Sequence, residues 1–255
     1  MKRFSYLLTA VVAFALIATA CGGDDGGELG LVKDGTLSVC SEIPYEPFEF
    51  EVDGEYTGFD IEVIGAVADE LGLELEVLAT GFTAITSGSA MAADQCDIAA
   101  SAITITDERE EAIDFASPYF DADQSLLVKG DSGFASLDDL VGSNLGVQSG
   151  TTGEAYAQDN APSGIEIVSY DNGGDLFLAL EAGAIDGVLQ DLPVNGYRAV
   201  GDSSVAVVAT YPTGEQYGFA VAEEGKEDLL KSVNDALAAL RDNGTYDSIF
   251  AKWFG

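Results

Sequence analysis

Histidine is missing from all 255 residues, and lysine plus arginine total only 10 against 45 aspartates and glutamates. Without histidine the chain lacks the commonest general base and the commonest nitrogen ligand for metals. No metal or cofactor is expected. A formal net charge of −35 repels nucleic acid and anionic headgroups, so no nucleic-acid partner is expected. The acids are scattered rather than grouped, which describes a solvated surface and not an acidic tail. The longest apolar run, Tyr6 to Ala18, falls short of the roughly 20 residues that a membrane helix needs. What the chain does have is apolar content, 47% of residues. That is enough for a sizeable core in one large domain or two small ones.

Met1-Lys2-Arg3, the apolar run and the small residues after it read as an export signal over residues 1–20. Ile17-Ala18-Thr19-Ala20-Cys21 resembles the lipobox of bacterial lipoproteins, with Ala18 where leucine is usual. The resemblance implies that Cys21 is lipidated, becomes the mature N-terminus and anchors the protein on the outer face of the cell membrane. Plain cleavage after Ala20, giving a free secreted protein, is the alternative. Residues 21–35, rich in Gly and Asp at Gly22 to Glu28, read as a flexible tether.

Cys40 and Cys96 remain. An even pair in an exported chain points to a disulfide, with two buried thiols as the alternative. Cys40 ends a predicted strand, Leu37 to Ser41, and Cys96 immediately precedes another, Asp97 to Ser101. Two cysteines without histidine make a poor metal site. Between those strands the periodicity predicts a helix over Asp60 to Leu71, a strand over Glu74 to Leu78 and a helix over Thr83 to Ala93. The order then recurs: strand Asn144 to Gln148, helix Thr151 to Asp159, strand Ile165 to Ser169, helix Asp175 to Ala182, strand Asp186 to Gln190. Two βαβαβ units imply an α/β fold with two sheets, and open α/β sheets bind ligands at the carboxyl ends of their strands. Helices over Asp228 to Asp242 and Tyr246 to Phe254 close the chain.

Gly58-Phe59-Asp60-Ile61-Glu62-Val63-Ile64-Gly65-Ala66-Val67-Ala68-Asp69-Glu70-Leu71 is similar to the signature of the family 3 bacterial extracellular solute-binding proteins, the amino-acid receptors of ABC importers. Ile43 to Phe48, Ile103 to Arg109, Gly146 to Thr152, Leu189 to Asp191 and Lys252-Trp253-Phe254 also resemble that family. The resemblance covers roughly residues 36–255. It implies a two-lobe periplasmic-binding-protein-like fold of type II, closing about a two-strand hinge. The first lobe would span 36–120 and 216–255, the second 124–212, with crossings near 119–123 and 213–217. It also implies a monomer that delivers its ligand to ABC permease subunits.

An amino acid presents a carboxylate, an ammonium and a side chain. A bidentate guanidinium and free N–H groups at a helix start suit the carboxylate. Arg109 matches the family's carboxylate-binding arginine, in a segment able to begin a helix; a local pairing with Asp107, Glu108 or Glu110 is the plain alternative. Thr104 and Thr152 match positions that assist it, or are simple helix caps. Asp191 matches the ammonium-binding aspartate, or is a turn residue before Pro193. Ala102 matches a backbone-carbonyl position where serine or glycine is usual. Ser101 beside it lies on the opposite strand face, and no role is carried across to it. Tyr45 and Phe82 match the aromatic walls, and Glu42 and Gln148 the residues that read the distal end. Only Arg109 places a cation on a matched position, so a ligand's second carboxylate would be buried unpaired near Glu42, which is costly. The expected ligand is arginine, lysine, ornithine or glutamine rather than glutamate. Some relatives on this fold are dehydratases of cyclic dienyl acids. Here Glu42 is the sole spare acid for that chemistry, and a binding protein, not an enzyme, is the expectation.

Overall fold

The computed structural model describes residues 29–255. The export signal, Cys21 and its lipidation fall outside them. Two five-stranded sheets organise the described chain, each with its own buried cluster.

The first lobe is built on β1 (Thr36–Ser41), buried along its whole length. β1 pairs in parallel with β4 (Glu74–Ala79) on one side and with β5 (Ile98–Ala99) on the other. Between β1 and β4 lie a small hairpin, β2 (Phe50–Val52) and β3 (Glu55–Thr57), and the helix α1 (Phe59–Glu70). Phe59, Val63, Ile64, Val67 and Ala68 of α1 are buried at the three- and four-residue spacing of a helix face laid on a sheet. α1 starts at Gly58, φ +130, where a Cβ would stand 2.1 Å from the Phe48 carbonyl oxygen. The helix expected over Thr83 to Ala93 is two short ones, α2 (Phe82–Thr86) and α3 (Ser89–Ala92). Gly88 divides them at φ +72, pressed so close that a Cβ would meet the Ala112 carbonyl oxygen at 2.5 Å. Periodicity alone does not reveal a break imposed by that approach. Cys40 and Cys96 are joined by a disulfide. With a sequence separation of 56 residues, closing this loop stabilises the fold by about 4 kcal/mol in chain-entropy terms.

β6 (Ile113–Phe115) ends the first passage through this lobe, and β7 (Phe120–Lys129) opens the second. There β8 (Asn144–Gln148), α4 (Thr152–Asn160), β9 (Glu166–Tyr170), α5 (Gly173–Ala182) and β10 (Gly187–Asp191) form the expected βαβαβ run. α6 (Leu192–Gly201) and the long β11 (Val205–Tyr217) return the chain to the first lobe. The strand order is β11-β7-β10-β8-β9. β12 (Ala220–Ala222) then inserts between β5 and β6, and α7 (Glu227–Asp242) and α8 (Thr245–Phe254) pack back on the first lobe.

β7 and β11 are the two strands that join the lobes. They pair antiparallel from Tyr217↔Phe120 to Glu215↔Ala122, and again from Tyr211↔Gln124 onward. Four steps along β11 thus face two along β7, and the slack falls at residues 212–214. The Thr213 and Gly214 N–H groups donate to the Asp123 carboxylate there. At the root of the pair, Phe120 stacks on Tyr217 at 5.7 Å and meets Phe48 at 5.1 Å and Phe254 of α8 at 4.9 Å.

Candidate functional site

Four strand ends converge between the lobes. β1 and β5 deliver Glu42 and the Ser101-Ala102 loop, and β8 and β10 deliver Gln148 and Asp191. All nine residues singled out from the sequence line one cavity of about 20 Å³, joined by Ser101 and Thr151. A larger open groove, about 840 Å³, continues outward past Glu42 and Tyr45 toward Asp171 and Arg198. The convergence of charge lies in the small cavity.

Arg109 is buried, in a 3-10 turn over Arg109–Glu111 rather than at the start of an α-helix. Thr106 Oγ accepts the Arg109 N–H at 3.2 Å just ahead of that turn, whose N-cap is Glu108, so Thr104 is not the cap. The guanidinium forms no ion pair with Asp107, Glu108 or Glu110. It donates to the Thr104 carbonyl at 2.7 Å and, across the cleft, to the Gly150 carbonyl at 3.1 Å. Its far face covers the Phe82 ring at 5.2 Å, a geometry that favours a cation. Burial pulls the Arg109 pKa down, against Asp191, Glu215 and Glu108, which support its charge.

Asp191 stands at the start of α6, yet its side chain makes no cap bond. It turns into the cleft. Oδ1 accepts Gln124 Nε2 at 2.6 Å; Oδ2 accepts the hydroxyls of Tyr217 at 2.5 Å and Tyr45 at 3.1 Å. Burial raises it to about 6, with the Tyr217 bond the largest opposing effect. Glu42 meets Gln148, whose Nε2 donates to both carboxylate oxygens at 2.9 and 2.8 Å. Burial drives Glu42 up to about 7, and the Gln148 amide draws it part of the way back. Thr151, not Thr152, caps α4 by accepting the Glu154 N–H. The Thr152 hydroxyl is therefore free to face the cleft.

Sequence reasoning missed several partners. Glu215 on β11 accepts the Thr152 hydroxyl at 2.8 Å and Gln124 Nε2 at 3.0 Å, and its Oε2 lies 3.4 Å from the Thr104 hydroxyl. It adds a third carboxylate beside one guanidinium. Gln124 is wholly buried on β7, yet its context, Asp121-Ala122-Asp123-Gln124-Ser125, is polar and carries no signal of that burial. Ser101, to which no role was given, sits directly behind the site. Its Oγ accepts the Glu42 N–H at 2.9 Å and donates to Glu49 at 2.9 Å. The opposite strand face carries the support for the first.

The chain is 34% identical to the L-cystine-binding protein TcyJ of Escherichia coli strain K12 over 255 residues, 97% of this chain and 94% of that one. It is 32% identical to the arginine-binding extracellular protein ArtP of Bacillus subtilis strain 168 over 258 residues, 100% of this chain and 98% of that one. Among solved structures, an ancestral arginine-binding protein bound to glutamine is similar at a TM-score of 0.80 and 36% identity, covering 88% of this chain and 99% of that one. Residues 37–255 match the family description as a whole, and the chain belongs to the bacterial extracellular solute-binding proteins, family 3.

Proposed function

We propose that the chain captures a polar or basic L-amino acid outside the cell membrane and delivers it to an ABC permease. The observation that carries this reading is the charge count in the cleft: Arg109 alone against Glu42, Asp191 and Glu215, drawn from both lobes and from a joining strand. Arg109 would take the ligand's carboxylate with Thr104 and the start of α4, a geometry suited to a planar anion. Asp191, with the Ala102 carbonyl, would take the ammonium. Tyr45 and Phe82 would flank the side chain, and Glu42 with Gln148 would meet its far end. The lobes already touch through Arg109–Gly150, Tyr45–Asp191 and Gln148–Glu42. A ligand that replaces these bonds with its own can favour closure about β7 and β11, because it contacts both lobes only when they are together.

A cationic or amide side chain suits Glu42. A second carboxylate would enter a site already holding three and find no free cation. Of the relatives' named ligands, arginine carries a guanidinium, which suits this choice, whereas cystine brings a second carboxylate together with its second ammonium. The alternative, a dehydratase, rests on Glu42 as general acid, and its two bonds to Gln148 tie that carboxyl to the recognition role. Calorimetric titration with L-arginine, L-lysine, L-ornithine, L-glutamine and L-glutamate tests the reading. Glutamate is expected to bind weakest. Glutamate binding tighter than arginine and glutamine, or turnover of prephenate or arogenate, refutes it.

A further inference from the structure

Behind the site lie two acids that no step above uses. Glu49 and Asp60 are both 0% exposed. Glu49 ends the turn that carries Tyr45, and its carbonyl accepts the Tyr45 N–H at 2.6 Å. Asp60 lies in the first turn of α1. None of the ion pairs among the described residues includes either acid. The titratable groups that face them, besides each other, are Glu42, Tyr45, Tyr119 and Tyr246. No cation stands among these.

One oxygen of each carboxyl is fully engaged. Glu49 Oε1 accepts the Ser101 hydroxyl at 2.9 Å. Asp60 Oδ2 accepts the Ala102 N–H at 2.8 Å and the Tyr119 hydroxyl at 2.6 Å. The other two, Glu49 Oε2 and Asp60 Oδ1, are buried with no hydrogen-bond partner among the described residues. The Asp60 N–H donates to the carbonyl of Phe48, next to Glu49, and the two acids hold the adjacent residues Ser101 and Ala102; two buried carboxylates so placed cannot both ionise cheaply. Accordingly Glu49 titrates well above the ordinary carboxylate range, by burial first and by Asp60's charge second, and burial moves Asp60 to about 7.

We propose that Glu49 and Asp60 hold one proton between them, and that this acid pair is the positioning element for the loop that presents Glu42 and Ala102 to the ligand. The two arms reach the site separately. Through Ser101 Oγ, Glu49 holds the Glu42 N–H. Asp60 holds the N–H of Ala102, whose φ of +44 is one that alanine seldom adopts and that needs outside support. Tyr119, which also binds Asp60, immediately precedes β7, so the pair ties the recognition loop to the root of the strands joining the lobes. The positioning role rests on the amino-acid reading above; the shared proton does not.

The experiment is run on the ligand-free protein and on Glu49→Gln, Asp60→Asn, Glu49→Ala and the double amide variant. Carbon-detected NMR of side-chain carboxyls should show wild-type Glu49 or Asp60 titrating above pH 6, with the signal of the remaining acid displaced in each single amide variant. A single amide supplies permanently the donor that the shared proton supplies, so each single variant should fold. Wild-type stability should fall as pH rises from 5 to 8, because the folded acids are shifted upward and the unfolded ones titrate near 4. That fall, about 5 °C or more in Tm, should be smaller in Glu49→Gln, the difference removing the contributions of Glu42 and Asp191. In the double amide variant two donors oppose each other, and its Tm loss should exceed the sum of the singles. Both acids titrating below pH 5, or an unchanged Tm–pH slope in Glu49→Gln, overturns the shared proton. For positioning, L-arginine and L-glutamine are titrated at pH 6. Affinity within threefold of wild type is expected for Glu49→Gln and a loss of tenfold or more for Glu49→Ala. Equal affinity in the two variants overturns that role. No binding of any amino acid by the wild type would sink the amino-acid reading and leave the proton result standing.

Discussion

The first lobe buries acids in two ways. Asp97, at the amino end of β5, is wholly enclosed and fully served. It accepts the Val32 N–H at 2.6 Å, the Ser38 N–H at 3.0 Å and the Ser38 hydroxyl, and Lys226 Nζ stands 3.4 Å away. At the other end of the same sheet, Glu49 and Asp60 are equally enclosed, and among the described residues they form no ion pair and each leave an oxygen unpartnered. The difference tracks the task. Asp97 and Lys226 fasten residues 30–32 to the sheet, where rigidity is all that is required, and complete pairing serves that. The carboxyl ends of β1 and β5 must offer groups to something else, and the cost of incomplete pairing is tolerated there.

Asp97→Ala should strain this contrast most. It leaves the Lys226 ammonium buried and unpaired, which costs on the order of 3–5 kcal/mol, read from the midpoint of denaturant unfolding. Amino-acid affinity of the folded variant should stay near wild type. A loss under 1 kcal/mol would erase the distinction between the two ends. Arg109→Ala should do the reverse: binding of L-arginine drops by about 3 kcal/mol, roughly a hundredfold, since a charge-assisted pair is removed, while unfolding remains cooperative and close to wild type. A variant that unfolds readily but binds normally would make Arg109 a clasp like Lys226. The finest effect belongs to Glu42. Burial raises it to about 7, so it becomes anionic as pH climbs through neutrality. The ratio of L-arginine to L-glutamine affinity should increase several-fold from pH 6 to pH 8, and Glu42→Gln should flatten it. Taking the ratio cancels any change that affects both ligands alike. A ratio independent of pH in the wild type would place the side chain away from Glu42.

The units that could be read from sequence were those whose pattern is local. α1, α4, α5 and α7 announce themselves by spacing, and β8 and β10 by apolar runs between breakers. β6 and β12 were not anticipated, and β7 and β11 were expected only as hinge crossings near 119–123 and 213–217, through the resemblance; all four pair antiparallel with partners remote in the chain. Their sequences, such as Tyr211 to Tyr217 with its proline and glycine, read as loop. In the cleft, all nine candidates named from the resemblance line one cavity, and six of them, Tyr45, Thr104, Arg109, Gln148, Thr152 and Asp191, lie in short local motifs. Glu215, Gln124, Ser101, Glu49 and Asp60 escaped notice as partners. Their significance depends on what faces them across the fold, and an acid in a chain with 45 of them carries no mark of being inside. The disulfide was legible from parity and from two adjacent strands.

The uneven pairing of β7 and β11 has a consequence for engineering. Residues 212–214 give β11 two residues more than β7 presents, so the ribbon between the lobes has surplus contour length. If the lobes close about it as proposed, excising two of those residues should stiffen the ribbon and hold the lobes nearer one angle.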